Sequence, residues 1–110
     1  MSIDNALAPD TIAASGRIDA ASAPLLDAQL LALHAAGARD IAIDMHQVTY
    51  VSSSGMRVLL VAMRRQHAVG GSLRLRDVPE RIYRVLAVVG FDRVFEIQCA
   101  SPASGQGCGA

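Results

Sequence analysis

The chain has 110 residues, 52% of them hydrophobic, and its ten acidic residues balance its ten basic residues. This length and composition predict one domain around one buried core. Because the formal net charge is zero, no overall field would hold the chain on nucleic acid or on an anionic membrane. The first ten residues contain no basic residue and no apolar stretch of signal-peptide length, and later apolar runs are too short to cross a bilayer. We therefore expect a cytoplasmic protein that neither binds nucleic acid nor inserts into a membrane.

Short apolar runs alternate with helical patterns along the chain, which predicts an α/β fold with a small, mostly parallel sheet and packed helices. Two strands are predicted first, near Ser2–Leu7 and at Thr11–Ile18. The turn residues Pro9 and Asp10 between them would make the pair a hairpin. The sheet is therefore expected to be mixed, with one antiparallel pair.

Three helices are predicted after this hairpin. The first begins at Ser22, because Pro24 is tolerated in a first turn, and it ends at Gly37. The second and third helices and the remaining strands and loop follow from apolar spacing. They are a loop at His46–Ser54, helices at Gly55–Val69 and from Pro79 to Gly90, and strands at Asp40–Asp44, Ser72–Asp77 and Val94–Ile97.

The C-terminal segment from Cys99 onward is rich in glycine and serine and has almost no large apolar side chain. Such a segment cannot offset the entropy of its own ordering. We therefore predict a domain at residues 1–98 and a disordered tail at residues 99–110. Cys99 and Cys108 have the spacing of neither a zinc site nor a redox dithiol, and free thiols are expected.

The sequence contains no Gly-rich phosphate loop, no HExxH and no CxxC motif. Its three histidines, His34, His46 and His67, lie singly in different elements, and paired carboxylates are absent. These absences predict a protein that is not an enzyme and has no cofactor and no metal site.

The most informative segment is Asp44–Leu60, in which three serines precede Gly55 at a helix start. In one interpretation Ser54 caps the helix, while Ser52 and Ser53 only fill the loop. However, a helix start also favours an anion, so a serine here could carry a phosphate without melting the helix. The residues alone leave both interpretations open.

This segment, DMHQVTYVSSSGMRVLL, resembles the signature of the STAS domain of bacterial anti-sigma factor antagonists. That signature is D, a short loop, then V-(T/S)-(F/Y)-(I/V/M)-D-S-(S/T)-G-(L/M) at the start of the second helix. Three further stretches resemble the family in the right order, which extends the likeness over residues 16–97. They are Gly16–Asp19 (G-x-(L/I/V)-D), Gly70–Leu73 (G-G-x-L) and Gly90–Phe95 (G-(L/F)-D-x-(V/L)-F).

The resemblance implies a STAS fold and a phosphorylation site at Ser53. In such proteins the unphosphorylated form binds an anti-sigma factor that is also a serine kinase of the GHKL type, and thereby frees the sigma factor. A serine phosphatase would be the second partner. The family position before the phosphorylated serine is usually Asp, whereas this chain has Ser52, so a carboxylate that would orient the loop or engage the kinase is missing.

The second predicted helix has a face that points away from its apolar stripe of Met56, Leu59, Leu60 and Met63. Exposed valines on such a face are common, but a partner footprint of about 800 Å² would cover both this face and the serine loop. Arg57 would pair there with a phosphate or with a partner carboxylate. The predicted partner-binding residues are Asp19, Ser52, Ser53, Ser54, Gly55, Arg57, Val58, Val61 and Arg65.

Two other functions remain open at this point. The domain would be a structural subunit, such as the STAS component of a lipid-transport ATPase complex, with its serine serving only as a helix cap. Alternatively it would be a ligand-binding or nucleotide-sensing STAS module, although the sequence has no glycine cradle and no aromatic clamp for a ligand.

Overall fold

A computed structural model describes residues 10–99 of the chain. Strands and helices alternate along this part, as the sequence predicts. The predicted strand at Ser2–Leu7 and residues 100–110 of the predicted tail lie outside the described residues. The elements are β1 (Asp10–Ile18), α1 (Ala23–Ala35), β2 (Asp40–Val51), α2 (Ser53–Ala68), β3 (Ser72–Val78), α3 (Glu80–Val88), α4 (Phe91–Val94) and β4 (Glu96–Cys99).

The four described strands form one sheet in the order β1-β2-β3-β4, and every neighbouring pair is parallel. Helical crossovers between parallel strands produce this arrangement. The α/β fold with a mainly parallel sheet is therefore confirmed. The predicted hairpin partner of β1 falls outside the described part.

The core lies between one face of the sheet and helices α1 to α3. Ile41 and Ile43 on β2 are in register with Leu73 and Leu75 on β3, and all four side chains are buried. The alternate residues of β3, such as Arg74, are exposed on the opposite face. This period of two is what the sequence of β3 predicts.

The second strand is longer than predicted, because β2 continues to Val51 through most of the segment expected to be a loop. Register shifts against β1 show that β2 carries extra residues between Asp44 and Gln47 and between Val48 and Tyr50. A bulge breaks the simple alternation of buried and exposed residues. For this reason the sequence pattern of this segment resembles a loop.

The last strand is also displaced from its prediction at Val94–Ile97. A short helix, α4, takes the preceding residues, and β4 starts only at Glu96. The rings of Phe91 and Phe95 pack with their centroids 4.9 Å apart. A spacing of four residues lets both rings reach the core from one helical turn.

The strand β4 includes Cys99, one residue beyond the predicted end of the domain. Cys99 is disulfide-bonded, so the prediction of a free thiol is wrong for this residue.

The buried side chain of Gln66 fixes helix α2 against the rest of the fold. Its amide nitrogen donates to the carbonyl oxygens of Ala38 and Arg39 at 2.9 and 2.8 Å. Its amide oxygen lies 2.8 Å from Nδ1 of His34 on α1. A buried amide with its hydrogen bonds satisfied specifies one packing arrangement, and these bonds hold the C-terminal half of α2 against α1 and the start of β2.

Candidate functional site

The start of α2 is capped by Ser52. Its backbone is extended (φ −86°, ψ 175°), and its hydroxyl accepts a hydrogen bond from the Gly55 N–H at 3.2 Å. The Ser52 N–H donates to the Ile18 carbonyl at 2.8 Å, which ties the cap to the end of β1. The predicted helix start at Gly55 is therefore wrong by two residues, and the interpretation in which Ser54 caps the helix is replaced by a cap at Ser52. Three consecutive serines can all cap a helix, and only the packing of Gly55 selects the first.

Gly55 lies against the C-terminal ends of β1 and β2. A β-carbon at this position would lie 3.1 Å from Cγ1 of Val51, which is closer than an ordinary van der Waals contact. With Ser52 as the cap, Ser53 and Ser54 are the first and second helical residues and Gly55 is the third. The structure thus brings Ser52, Ser53, Ser54 and Gly55 into one helical turn.

Ser53 and Ser54 are exposed and line an open cleft of about 560 Å³ between the starts of α1 and α2. A hydroxyl in such a place is accessible to an enzyme and to solvent. The residues that line the cleft are Ala20, Ala23, Pro24 and Asp27 on one side and Ser53, Ser54, Arg57 and Val58 on the other.

Arg57 is the cation of this cleft. It is exposed and follows Ser53 by four residues, so the two side chains share one face of α2. Helical side chains lean toward the N-terminus, which directs Arg57 toward Ser53. Within residues 10–99 no carboxylate lies in ion-pair distance of Arg57. Together with the unpaired N–H groups of the first turn, this cation makes the electrostatic environment of Ser53 favourable for an anion.

The predicted exposed face of α2 is only partly exposed. Val61 is 46% exposed, as expected, whereas Val58 is half-buried and packs against the core. Nη2 of Arg65 lies 3.7 Å from Oδ1 of Asp27 on α1, and the arginine side chain is 21% exposed. Helix α1 covers this side of α2, and the sequence periodicity of α2 alone does not reveal that neighbour. The prediction that Val58 and Arg65 face solvent is therefore wrong.

Asp19 closes the turn between β1 and α1. Its Oδ1 accepts hydrogen bonds from the N–H groups of Ala21 at 3.1 Å and Ser22 at 3.2 Å. Its Oδ2 lies 3.5 Å from Nε of Arg17. The backbone N–H of Ser22 is the largest influence on the pKa of Asp19 and lowers it; burial, the next largest, raises it, and the Ala21 N–H and the Arg17 guanidinium lower it further, so that the pKa lies below its usual value. Asp19 is thus ionised and held within its own turn.

Ser22 occupies the predicted position before α1 but does not cap it with its side chain. Its hydroxyl donates instead to the Arg17 carbonyl at 2.6 Å and accepts from the Asp19 N–H at 3.0 Å. The three residues therefore form one ordered turn beside the start of α2.

One pair of residues at this end of the sheet was missed by the sequence analysis. Arg17 and Tyr50 are register partners on β1 and β2, and the guanidinium carbon lies 4.3 Å from the centroid of the Tyr50 ring. This contact depends on the bulged register of the two strands, which no sequence pattern indicates. Arg17 therefore stacks on an aromatic ring and also contacts Asp19.

Residues 10–99 contain no cluster of three or more His, Cys, Asp or Glu side chains suited to hold a metal ion. No helix in this part is both long enough and apolar enough to span a membrane.

Comparison with known proteins places this geometry in a family. The family model described as "Mlab, STAS domain" matches residues 1–97. The anti-sigma-B factor antagonist of Bacillus subtilis (strain 168) is 33% identical over 87 residues, which cover 79% of each chain.

Solved structures of SpoIIAA, an anti-sigma factor antagonist, share the fold. The unphosphorylated form gives a TM-score of 0.66 at 21% identity, covering 86% of this chain and 83% of that one. The phosphorylated form gives 0.63 at 22% identity, covering 79% of both. With the signature of Asp44–Leu60 now placed at the β2–α2 junction, the chain belongs to the STAS-domain family of bacterial anti-sigma factor antagonists.

Proposed function

We propose that this protein is a cytoplasmic phospho-switch that acts by docking to a partner rather than by catalysing a reaction. In its unphosphorylated form it binds an anti-sigma factor with serine kinase activity of the GHKL type and releases the sigma factor. Phosphorylation of Ser53 by that kinase ends the complex, and a serine phosphatase restores the binding form.

The observation that carries this proposal is the position of Ser53. The residue is exposed at the first position of α2, its side chain lines an open cleft, and Arg57 lines the same cleft one turn later. A phosphate at this point would add a charge of about −1.5 to −2 at neutral pH. Because the helix start and Arg57 both favour negative charge, the fold would accept this phosphate.

The charge of a phosphate on Ser53 would also weaken the binding of the partner. A docking surface shaped around a neutral hydroxyl excludes water, and an unpaired charge buried there is costly. The surface we propose includes Asp19 and the serine turn, Ser52–Gly55, and extends along α2 through Arg57 and Val61. Val58 and Arg65 would contribute indirectly, because they hold α2 against α1 and the core.

Ser52 replaces the Asp that usually precedes the phosphorylated serine in this family. The hydroxyl of Ser52 still accepts a hydrogen bond from the Gly55 N–H, and serine and aspartate are comparable helix caps. The capping role of the position is therefore retained, and only its negative charge is lost. This supports Ser53 as the phosphorylated residue in spite of the substitution.

The proposal is tested by incubating the full chain with its cognate serine kinase and ATP, followed by tandem mass spectrometry of the loop peptide. We expect one phosphate, on Ser53, and none after Ser53→Ala. Phosphate on Ser52 or Ser54 alone, or no phosphate with the true partner present, would contradict the proposal. A stable complex with a transport ATPase that tolerates Ser53→Ala and a phosphate equally would instead support a structural subunit.

A further inference from the structure

The side chain of Arg17 is held from two directions at the surface. One face of its guanidinium lies over the Tyr50 ring at 4.3 Å, and its Nε lies 3.5 Å from Oδ2 of Asp19. The arginine side chain nevertheless remains 63% exposed. Within residues 10–99 no hydrogen bond involves its two Nη atoms. The planar guanidinium of Arg17 is therefore ordered before any partner binds, and its Nη donors are open to a ligand.

Asp19, by contrast, has little capacity left for a partner. Oδ1 already accepts hydrogen bonds from two backbone N–H groups, and the Ser22 hydroxyl, which donates its one hydrogen to the Arg17 carbonyl at 2.6 Å, lies 3.3 Å from the same oxygen. The other oxygen faces Arg17. A carboxylate offers about four acceptor sites; the two N–H groups and Arg17 use three of them, which leaves one site on Oδ2. The geometry therefore gives Asp19 a supporting role for Arg17 within the proposed docking surface, in addition to any contact that its remaining acceptor site makes with a partner.

The charged side chains at this end of the fold are unevenly paired. Arg57 lines the cleft with Ser53, and within residues 10–99 no carboxylate lies in ion-pair distance of it. Arg65 and Asp27 are paired with each other, and the carboxylate of Asp19 accepts hydrogen bonds from N–H groups of its own turn. The cations that remain available are Arg17 and Arg57, one on the β1 side and one on the α2 side of the serine turn. Such a surface is complementary to acidic groups.

We propose that Arg17 is a docking residue that binds a carboxylate of the kinase partner through its outward guanidinium edge, with Tyr50 and Asp19 as its positioning residues. This inference rests on the proposed function, since it names the partner chemistry of the same surface. Arginine and tyrosine are the residue types most often found at the energetic centres of interfaces. Ordering the arginine before binding reduces the entropy that the complex would otherwise lose.

This arrangement also relates docking to the switch. A phosphate on Ser53 would place a negative charge beside the surface that receives the partner's carboxylate. The phosphate and the partner's acid would then repel each other, while Arg57 neutralises the phosphate from within the chain.

The test measures the affinity of the full unphosphorylated chain for the purified kinase that phosphorylates Ser53, by isothermal titration calorimetry. We expect Arg17→Gln to weaken binding by about tenfold, and Arg17→Lys to restore little of it, because lysine cannot make the planar fork. Tyr50→Phe should retain the affinity and Tyr50→Leu should lose part of it. The matched control is Arg74→Gln, which removes another exposed strand arginine paired with a carboxylate, Glu96, at 2.8 Å.

A double-mutant cycle separates positioning from direct contact. If Asp19 acts through Arg17, Asp19→Asn should weaken binding in the wild-type background and have little further effect in Arg17→Gln. Thermal melts of all variants check that the fold is retained. Unchanged affinity of Arg17→Gln, or tighter binding, would overturn the inference while leaving the proposed function intact. No complex with the wild-type chain at all would overturn the proposed function itself.

Discussion

Gly55 packs directly on Ile18. A β-carbon at Gly55 would lie 2.7 Å from Cγ2 of Ile18 and 2.9 Å from its carbonyl oxygen. That carbonyl is also the acceptor for the Ser52 N–H, at 2.8 Å. The glycine of the serine turn is therefore required by the close approach of α2 to the end of β1, and this approach holds Ser53 at the surface.

This contact predicts the effect of Gly55→Ala. The added methyl group must displace the Ile18 backbone or move the start of α2, so we expect the free energy of unfolding to fall by about 1–3 kcal/mol. Urea denaturation followed by circular dichroism measures the change. Ser54→Ala, at the exposed neighbouring position, is the matched control and should stay within about 0.5 kcal/mol of the wild type. Equal stability of the two variants would mean that α2 does not start in this register.

The cap predicts a second pair of variants. Ser52→Ala removes the acceptor for the Gly55 N–H and should lower the free energy of unfolding by about 1 kcal/mol. Ser52→Asp restores an acceptor and adds a negative charge at the positive end of α2, so its stability should equal or exceed that of the wild type. The same denaturation measurement applies. A loss of stability in Ser52→Asp as large as that in Ser52→Ala would argue against this capping geometry.

The two valines of α2 should respond differently to a charge. Val61 is 46% exposed, so Val61→Glu should change the free energy of unfolding by about 0.5 kcal/mol or less. Binding to the kinase partner should nevertheless weaken. Val58 packs against the core, and Val58→Glu should lower the free energy of unfolding by about 1 kcal/mol or more, because the charge loses hydration. Unchanged partner affinity of Val61→Glu would remove this face from the docking surface.

The turn around Asp19 predicts a pH dependence. Its pKa in the folded protein is lowered from the usual 3.8, mainly by the Ser22 N–H. A lowered folded pKa means that the stabilisation by Asp19 is fully present above the unfolded pKa and is lost as the pH falls through the folded pKa. The stability difference between the wild type and Asp19→Asn should therefore be largest at neutral pH and shrink below about pH 4. Urea melts across this range measure it, and a difference independent of pH would contradict the ionised turn.

The sequence correctly predicted the helices and the strand whose positions depend on residues close together in the chain. The helices α1 to α3 and the strand β3 lie close to their predictions, because apolar spacing and the glycines that follow a helix, such as Gly70, act over a few residues. The three serines were likewise predicted to lie at the start of a helix, as they do. These features need no knowledge of a distant neighbour.

The errors come from contacts between segments far apart in sequence. Helix α1 covers Arg65, and Gly55 selects Ser52 over Ser54 as the cap because Ile18 lies beside it. The bulges of β2 depend on its register with β1, and this register also creates the stack of Arg17 on Tyr50. Contacts between distant segments leave no periodic pattern of apolar residues in a single sequence, so they cannot be predicted from it. The proposed docking surface is therefore the part for which the structure added most.

The consequences of a charge at Ser53 differ between the free and the bound chain. In the free chain a carboxylate at this position would face water, the positive end of α2 and Arg57 one turn away, so it should be tolerated or modestly favoured. In the complex the same charge would lose its hydration at a contact that is complementary to a neutral hydroxyl, and this loss exceeds the contribution of the helix dipole. Stability and affinity should therefore change in opposite directions.

Ser53→Asp should accordingly reduce the affinity for the kinase partner by about tenfold or more, or about 1.4 kcal/mol, while the free energy of unfolding stays level or rises slightly. Ser53→Ala should keep the affinity, because it removes a hydroxyl without adding charge, and it therefore distinguishes a charge effect from a lost hydrogen bond. Titration calorimetry and urea melts of the three chains measure both quantities. Since aspartate carries less charge than a phosphate, the decisive sample is the chain phosphorylated by its own kinase. If that form binds the partner as tightly as the unmodified chain, phosphorylation at Ser53 does not operate the switch.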